Sequence, residues 1–464
     1  MALRHQITKG LIKRLRKVVG RPWLLTAPAD LIPYSRDASG FSAMPEAVAL
    51  PESAEQVCEL LAICSSEGIP VYPRGAGSGT VGGAVAEKGG LIISMVRMNR
   101  MENFSHVDLS CRVGPGAVTG AIQKEAERLG LFYPPDPASL AFCTIGGNVA
   151  TCAGGARAVK YGVTRDYVRA LEVALADGCL VRLGSEAAKS VAGLDLARAV
   201  VGSEGLLGVI TGITLRLLPL PQEVRTLVAL FGSAQMALEG VSRLFQAGLV
   251  PRCAEFMDRM SLSAILEGLP FKVGHDAESL LIVEVDGSRA AAAEDAALAS
   301  KVLAEAGALD VRQMSGPRDR QQLWQARRGL SPAIKRLGYS RKVSEDVCVP
   351  RSAMAAMLEF LQGISRPEAA ILTFGHAGDG NLHVNLLLTQ ENAGDEALIH
   401  DIVEKIMEKS VELGGTISGE HGIGMAKRDY LPLEHSSRVL ALERSVKEAF
   451  DPKGIMNPAK MFRQ

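Results

Sequence analysis

The chain has no CxxC pair, no apolar run long enough to span a bilayer and no excess charge of either sign. Its eight cysteines, at 58, 64, 111, 143, 152, 179, 253 and 348, are scattered through 464 residues. That pattern signals neither a disulfide scaffold nor an iron–sulfur site and fits a reducing compartment. No window approaches the ~18 to 20 apolar residues of a spanning helix, and LIISMV at 91–96 reads as a buried strand. Fifty-one basic residues balance 51 acidic ones, which argues against nucleic acid as the main partner. Aromatic residues are scarce at 5%, whereas hydrophobic residues reach 47%, as in an ordinary globular chain.

Glycine is in excess: 48 residues, about a tenth of the chain against a background near 7%. The glycines cluster, which brings backbone close to a ligand. Two or more domains are expected, because single cores stop growing near roughly 250 to 300 residues. The N-terminus, MALRHQITKGLIKRLRKVVGR, carries seven Lys/Arg and no acid before Asp30. It reads as an amphipathic helix, about residues 1–20, that opens the first domain; a transit peptide and a membrane-surface helix are the alternatives.

From residue 46, apolar strands alternate with helical periods. AVALP, SAEQVCELLAICSSEG and IPVYPRG read as a strand, a helix capped by Ser53 and a strand that runs into a glycine loop. Strands follow at LIISM, CRVGPG and LEVALADG, with a helix at VTGAIQKEAERLG, and GVITGITLRLLPLP closes the region near residue 221. Beyond it, LVALF, SLLIVEVDG, ALDVRQM, KVSEDVCVP, AAILTFGH and LHVNLLL alternate with longer helices. This reads as a separate α+β domain with a largely antiparallel sheet. The tail AFDPKGIMNPAKMF is too irregular for a helix. The expected division is 1–221, 222–448 and a returning segment 449–464.

Three glycine-rich stretches carry the first chemistry. PRGAGSGTVGGA (73–84) follows a strand and leaves backbone N–H groups uncovered, as a pyrophosphate requires. It matches neither the Walker pattern nor the Rossmann fingerprint. CTIGGNVATCAGG (143–155) and VGSEGLLGVITGITLRLLP (201–219) follow. Together they imply a nucleotide cofactor, although one such loop alone is often a plain turn.

A second set of motifs is polar. If Asp379-Gly380 of FGHAGDGNLHVN forms a two-residue type I′ turn, His376 and His383 become direct cross-strand neighbours, with Cβ atoms about 4.5 to 5.5 Å apart. Two imidazoles at that spacing can share one metal at roughly 2.0 to 2.1 Å per bond; the other reading is a hairpin with two incidental histidines. TISGEHGIGMAKR (416–428) sets Glu420 beside His421. Adjacent extended residues point in opposite directions, so one is assigned to ligation and the other to proton transfer. Two imidazoles and a carboxylate suit Zn²⁺ or a similar divalent ion.

The three glycine stretches resemble the FAD-binding domain of the vanillyl-alcohol oxidase / p-cresol methylhydroxylase flavoproteins, a fold of two subdomains. GHAGDGN-L-H, ISGEHGIG and FDPKGIMNPAKMF resemble the FAD-linked oxidase C-terminal domain of D-2-hydroxyacid dehydrogenases, which include D-lactate and D-2-hydroxyglutarate dehydrogenases and the flavin subunit of glycolate oxidase. The resemblance runs from about residue 20 to 462. It implies FAD held by Pro73, Arg74, Gly75, Ala76, Gly77, Ser78 and Gly79 at the phosphates and by Pro135, Thr144, Gly147, Ala150, Gly154, Gly155 and Gly162 around the flavin. Glu204, Val209, Ile210 and the returning Asn457 are added by the same resemblance. No His or Cys lies in 72–85, so the FAD is expected to be non-covalent.

The resemblance further implies a divalent metal, Zn²⁺ with Mn²⁺ or Fe²⁺ as alternatives, on His376, His383 and Glu420, with His421 as the base. Arg327 and Lys342 would bind the substrate carboxylate, with Ser331 contacting it. Arg supplies a planar bidentate partner for such a group, but Arg328 is adjacent and the helical register leaves the choice open. The reaction implied is oxidation of a D-2-hydroxy acid, D-lactate or glycolate in preference to D-2-hydroxyglutarate, to the 2-oxo acid by hydride transfer to flavin N5. No heme, iron–sulfur or nicotinamide motif is present, so electrons are expected to pass to an electron-transfer flavoprotein, an iron–sulfur subunit, a quinone or a cytochrome. A cytoplasmic location is expected, with peripheral membrane association and a homodimer left open. The rival reading is a non-redox flavin transferase of the alkyl-dihydroxyacetone-phosphate synthase type, whose fold-mates carry a run of consecutive histidines that is absent here.

Overall fold

Ser53 and Gly68 bound the helix Ala54–Glu67 for local reasons. The Ser53 hydroxyl accepts from Gln56 N at 3.4 Å, and Gly68 closes the last turn in the left-handed region, φ +66. The helix joins strands Ala47–Ala49 and Val71–Arg74, both parallel to Leu91–Ser94, which lies between them. The computed structural model describes residues 6–462. The chain divides into two units: one takes the residues up to Gly154, Val163–Leu220 and everything from Glu420, and the other takes Gly155–Gly162 and Pro221–Gly419.

The first unit holds two principal sheets, in keeping with two subdomains. Leu24–Leu25 joins the parallel strands in a four-stranded sheet, and a five-stranded antiparallel sheet runs in the order Met101–Ser105, Ser110–Val113, Val209–Arg216, Val168–Ala174, Leu180–Gly184. The basic N-terminal segment forms a helix at Lys9–Val19 that buries Leu11, Leu15 and Val19 among Val57, Leu60, Leu61 and Cys64. Its apolar stripe is therefore committed to a core; the first five residues of the expected helix lie outside the described residues. No helix among the described residues is long and apolar enough to cross a membrane.

The second unit is built on one sheet of seven strands: β1 Glu223–Phe231, β2 Cys253–Met257, β3 Ser279–Gly287, β4 Asp310–Gln313, β5 Arg341–Cys348, β6 Ala369–His376 and β7 Asn381–Leu388. Their order is β4-β1-β3-β2-β6-β7-β5, and every pairing is antiparallel. Both faces are covered, so β3, β6 and β7 are almost continuously buried. Helices Ala234–Gln246 and Arg289–Glu305 meet on Phe231 at one face. On the other, Leu323 of helix Pro317–Arg328 packs with Met257, Leu280, Ile282 and Phe374. β2, CAEFM, is a strand that the sequence pattern does not announce, because an acid interrupts its short apolar run.

Two boundaries differ from the sequence reading. The return to the first unit starts at Glu420, not near 449, because the amphipathic period of Ser437–Phe450 looks like a continuation of the preceding helical domain. Gly155–Gly162 joins the second unit, where Lys160 Nζ and Tyr161 Oη reach the Asp286 carboxylate at 2.6 and 2.7 Å.

Candidate functional site

In the first unit, strand Val71–Arg74 feeds the chain into the first glycine loop. This loop, Thr144 and the helix that follows it, Ser203–Gly205, Gly208–Ile210, Glu420 and His421 line one cavity. Every loop residue from Pro73 to Gly79 lines it, with Thr144, Gly147, Ala150, Glu204, Val209 and Ile210. Thr144 Oγ1 is buried and finds no hydrogen-bond partner among the described residues. A Cβ on Gly75 would stand 2.1 Å from that oxygen, whereas a Cβ on Gly79 would meet nothing within 4 Å. Bare backbone beside an orphaned hydroxyl fits a phosphate-bearing cofactor. The lining includes no cysteine.

Five expected residues are placed otherwise. Pro135 turns its carbonyl to Gln123 Nε2 at 2.7 Å, and Pro137, Ala138 and Ser139 line the cavity instead; YPPDPAS offers three prolines and nothing in the pattern ranks them. Gly155 and Gly162 belong to the second unit. Gly154 stands beside the lining, where a Cβ would come within 3.1 Å of Glu420 Oε2. Asn457 supports the cradle from behind, its Nδ2 donating to Gly83 O at 3.1 Å and to Glu204 O at 2.6 Å.

Arg74 lines the cavity, but its guanidinium is spent on the protein, donating to Arg36 O at 2.6 Å and Ala84 O at 3.2 Å. It braces the loop through its side chain rather than offering charge to a phosphate. Glu204, at φ +51, accepts from Ile423 N and Gly424 N at 2.7 and 2.8 Å and so ties the returning segment to the cradle. Burial pushes its carboxyl above the usual range, against the pull of those two donors. Glu420 and His421 line the same cavity. The alternation expected of extended chain does not apply, because the chain bends at residues 419–421.

In the second unit the hairpin register differs from the two-residue turn. β6 ends at His376 and β7 begins at Asn381, so His376 pairs with Asn381 and His383 with Phe374. The turn is Ala377–Gly380, closed by Asp379 N and Gly380 N on His376 O at 3.2 and 3.1 Å. The displacement is two residues, and side chains alternate with period two, so both imidazoles stay on one face. They are diagonal neighbours, with ring centroids 5.1 Å apart.

Glu255 of β2, which the sequence reading misses, closes a circle around this pair. Paired with His376 in the sheet, it lies 2.6 Å from His376 Nδ1 through Oε1 and 2.6 Å from Arg327 through Oε2. The Arg327 guanidinium lies over the Phe374 ring at 4.7 Å, and the Phe374 and His383 rings meet at a 50° tilt with centroids 5.1 Å apart. Burial pushes the Glu255 carboxyl up, but the pull of His376 and of the Arg327 guanidinium outweighs it and holds the pKa below the ordinary carboxylate range. A lone acid inside an apolar run was the available signal.

Arg327 is buried and Arg328 exposed, so Arg327 is the one of the two that the helix turns inward. Arg327 Nε has no hydrogen-bond partner among the described residues. Lys342 donates to Ser331 Oγ at 2.8 Å, bringing those two expected residues together; burial, and then Lys335, lower its pKa. The chain leading to Glu420 is fixed on the same sheet. Thr416 and Cys348 of β5 exchange hydrogen bonds of 2.8 and 3.2 Å, Ser418 Oγ donates to Asp346, the sheet partner of His383, at 3.4 Å, and Gly419 sits so tightly on Asn381 that no Cβ fits.

Residues 45–184 match the profile described as FAD binding domain, and residues 220–461 match FAD linked oxidases, C-terminal domain. The glycolate oxidase subunit GlcD of Bacillus subtilis (strain 168) is 37% identical, over 98% of this chain and 97% of that protein. A D-lactate dehydrogenase of Anaerostipes hadrus is also 37% identical, over 90% of each. Among solved structures, p-cresol methylhydroxylase with substrate bound superposes with a TM-score of 0.81 at 15% identity, over 98% of this chain and 97% of that one, a likeness of fold. The cradle, the profiles and these relatives agree: the chain is an oxidoreductase that belongs to the FAD-linked oxidases.

Proposed function

We propose that the protein oxidises a small D-2-hydroxy acid, glycolate or D-lactate ahead of D-2-hydroxyglutarate, to the corresponding 2-oxo acid. The observation that carries this reading is the circle Glu255, His376, His383, Phe374 and Arg327, which puts an unsatisfied guanidinium N–H beside paired imidazoles. The names of the relatives, a glycolate oxidase subunit and a D-lactate dehydrogenase, support the substrate class.

Arg327 and Lys342 bind the substrate carboxylate, with Ser331 holding the Lys342 ammonium; fixing the carboxylate fixes C2. His421, on the cavity wall, accepts the hydroxyl proton at a ring nitrogen. His376, His383 and Glu420 are assigned to one divalent ion, Zn²⁺ or else Mn²⁺ or Fe²⁺. The imidazole pair supports that role, as does the anchoring of Gly419, one residue before Glu420, against Asn381. When bound, the ion supplies a Lewis acid for the substrate oxygens, and FAD, held without a covalent bond, supplies a two-electron acceptor. Reoxidation falls to an external partner, and the designation of one relative as a subunit favours a partner chain over a free quinone. A cytoplasmic location is carried with this proposal, with peripheral association at the inner face of a membrane and a homodimer left open.

Turnover with an artificial dye acceptor tests the reading. D-lactate or glycolate is expected to reduce the dye and L-lactate to fail, with His421→Ala lowering kcat by about 10²-fold or more. Absence of dye reduction with every 2-hydroxy acid overturns it.

A further inference from the structure

We infer that Glu255 is a positioning residue that sets the tautomer of His376, with Arg327 forcing the choice; this rests on the proposed role of His376 as a metal ligand. Glu255 is 1% exposed, and its two oxygens are divided between His376 Nδ1 and Arg327, each at 2.6 Å. A guanidinium only donates, and an ionised carboxylate only accepts. His376 therefore donates from Nδ1, and the ring lone pair resides on Nε2, the arrangement in which a carboxylate-backed histidine ligates a divalent ion. β2 and β6 are paired at these two residues, so the contact is set by sheet register rather than by a mobile loop.

A glutamine at 255 has the same shape and one acceptor fewer. Arg327 takes the amide oxygen, and the amide NH₂ then faces Nδ1, which has to become an acceptor. The ring proton moves to Nε2, and the lone pair that would meet the ion is lost, although every ligand is still present. Removing Arg327 as well frees the amide to turn its oxygen toward Nδ1. The inference therefore predicts a rescue that a purely structural role for Glu255 does not.

The test is Zn²⁺ affinity by competition with a chromophoric chelator, with bound FAD as the check on folding. E255Q is expected to bind Zn²⁺ about 10- to 100-fold more weakly than wild type, with E255Q/R327M recovering most of that loss. Wild-type affinity in E255Q, or a double variant no tighter than E255Q, overturns the inference. Should E255Q not retain FAD, E255Q/R327M against E255L/R327M asks the same question, because only the first offers Nδ1 an acceptor; equal affinities overturn it. Undiminished Zn²⁺ binding in H376A contradicts the metal assignment instead, which separates the two failures.

Discussion

Gly75 and Gly79 stand four residues apart in one loop and are required for different reasons. A side chain on Gly75 collides with Thr144 Oγ1, so its glycine answers to the protein; Gly79 has no neighbour within 4 Å of an added methyl and no left-handed φ, so its glycine answers to a ligand. Gly79→Ala is therefore expected to leave the thermal stability of the apoprotein unchanged while weakening FAD about tenfold, or ~1.4 kcal/mol, read by flavin fluorescence titration. An equal FAD affinity would move the phosphates away from this loop. The sequence shows that these glycines cluster but cannot separate the two kinds, because the separation depends on what lies across the cavity. Arg74 makes the same point: the family resemblance implied a phosphate contact, and only the carbonyls of Arg36 and Ala84 reveal a brace.

At the scale of elements, the β6–β7 hairpin separates what side-chain pattern determines from what it leaves open. Two histidines on one face follow from parity alone, and a displacement of two residues preserves them; the pairing partner does not follow, since the four-residue turn is stabilised by contacts distant in sequence. Gly378 N donates to Ala254 O at 3.1 Å, and Gly380 is pressed on Val349 O. Gly380, at φ +89, would place a Cβ 2.0 Å from that oxygen. Gly380→Ala should cost about 2 kcal/mol or more and displace the imidazole pair, lowering Tm and divalent-ion affinity together; a Tm within a degree of wild type speaks against this turn. β2 is the element that the pattern hides, and it carries Glu255. A five-residue strand with a central acid is invisible to alternation, yet the acid is stable there because a helix and a neighbouring strand supply its two donors.

At the scale of the whole molecule, fold class and chemistry were legible for different reasons. The antiparallel sheet of the second unit comes from strands long and apolar enough to be read singly; the glycine clusters imply a nucleotide cofactor, and FAD is what the resemblance to the vanillyl-alcohol oxidase flavoproteins adds. The early return of the chain at Glu420 was not legible, because helix Ser437–Phe450 repeats the periodicity of the helices before it while packing in the other unit. That return places Glu420 and His421 on the wall of the cavity in the first unit. The central claim joins the two halves of the sequence: a 2-hydroxy acid delivers its electrons to the bound flavin. Anaerobic mixing of the FAD-loaded protein with glycolate, D-lactate and D-2-hydroxyglutarate measures this directly. The account predicts that glycolate or D-lactate bleaches the flavin band within the mixing experiment and faster than D-2-hydroxyglutarate; a flavin that dithionite reduces but none of the three acids bleaches would contradict it.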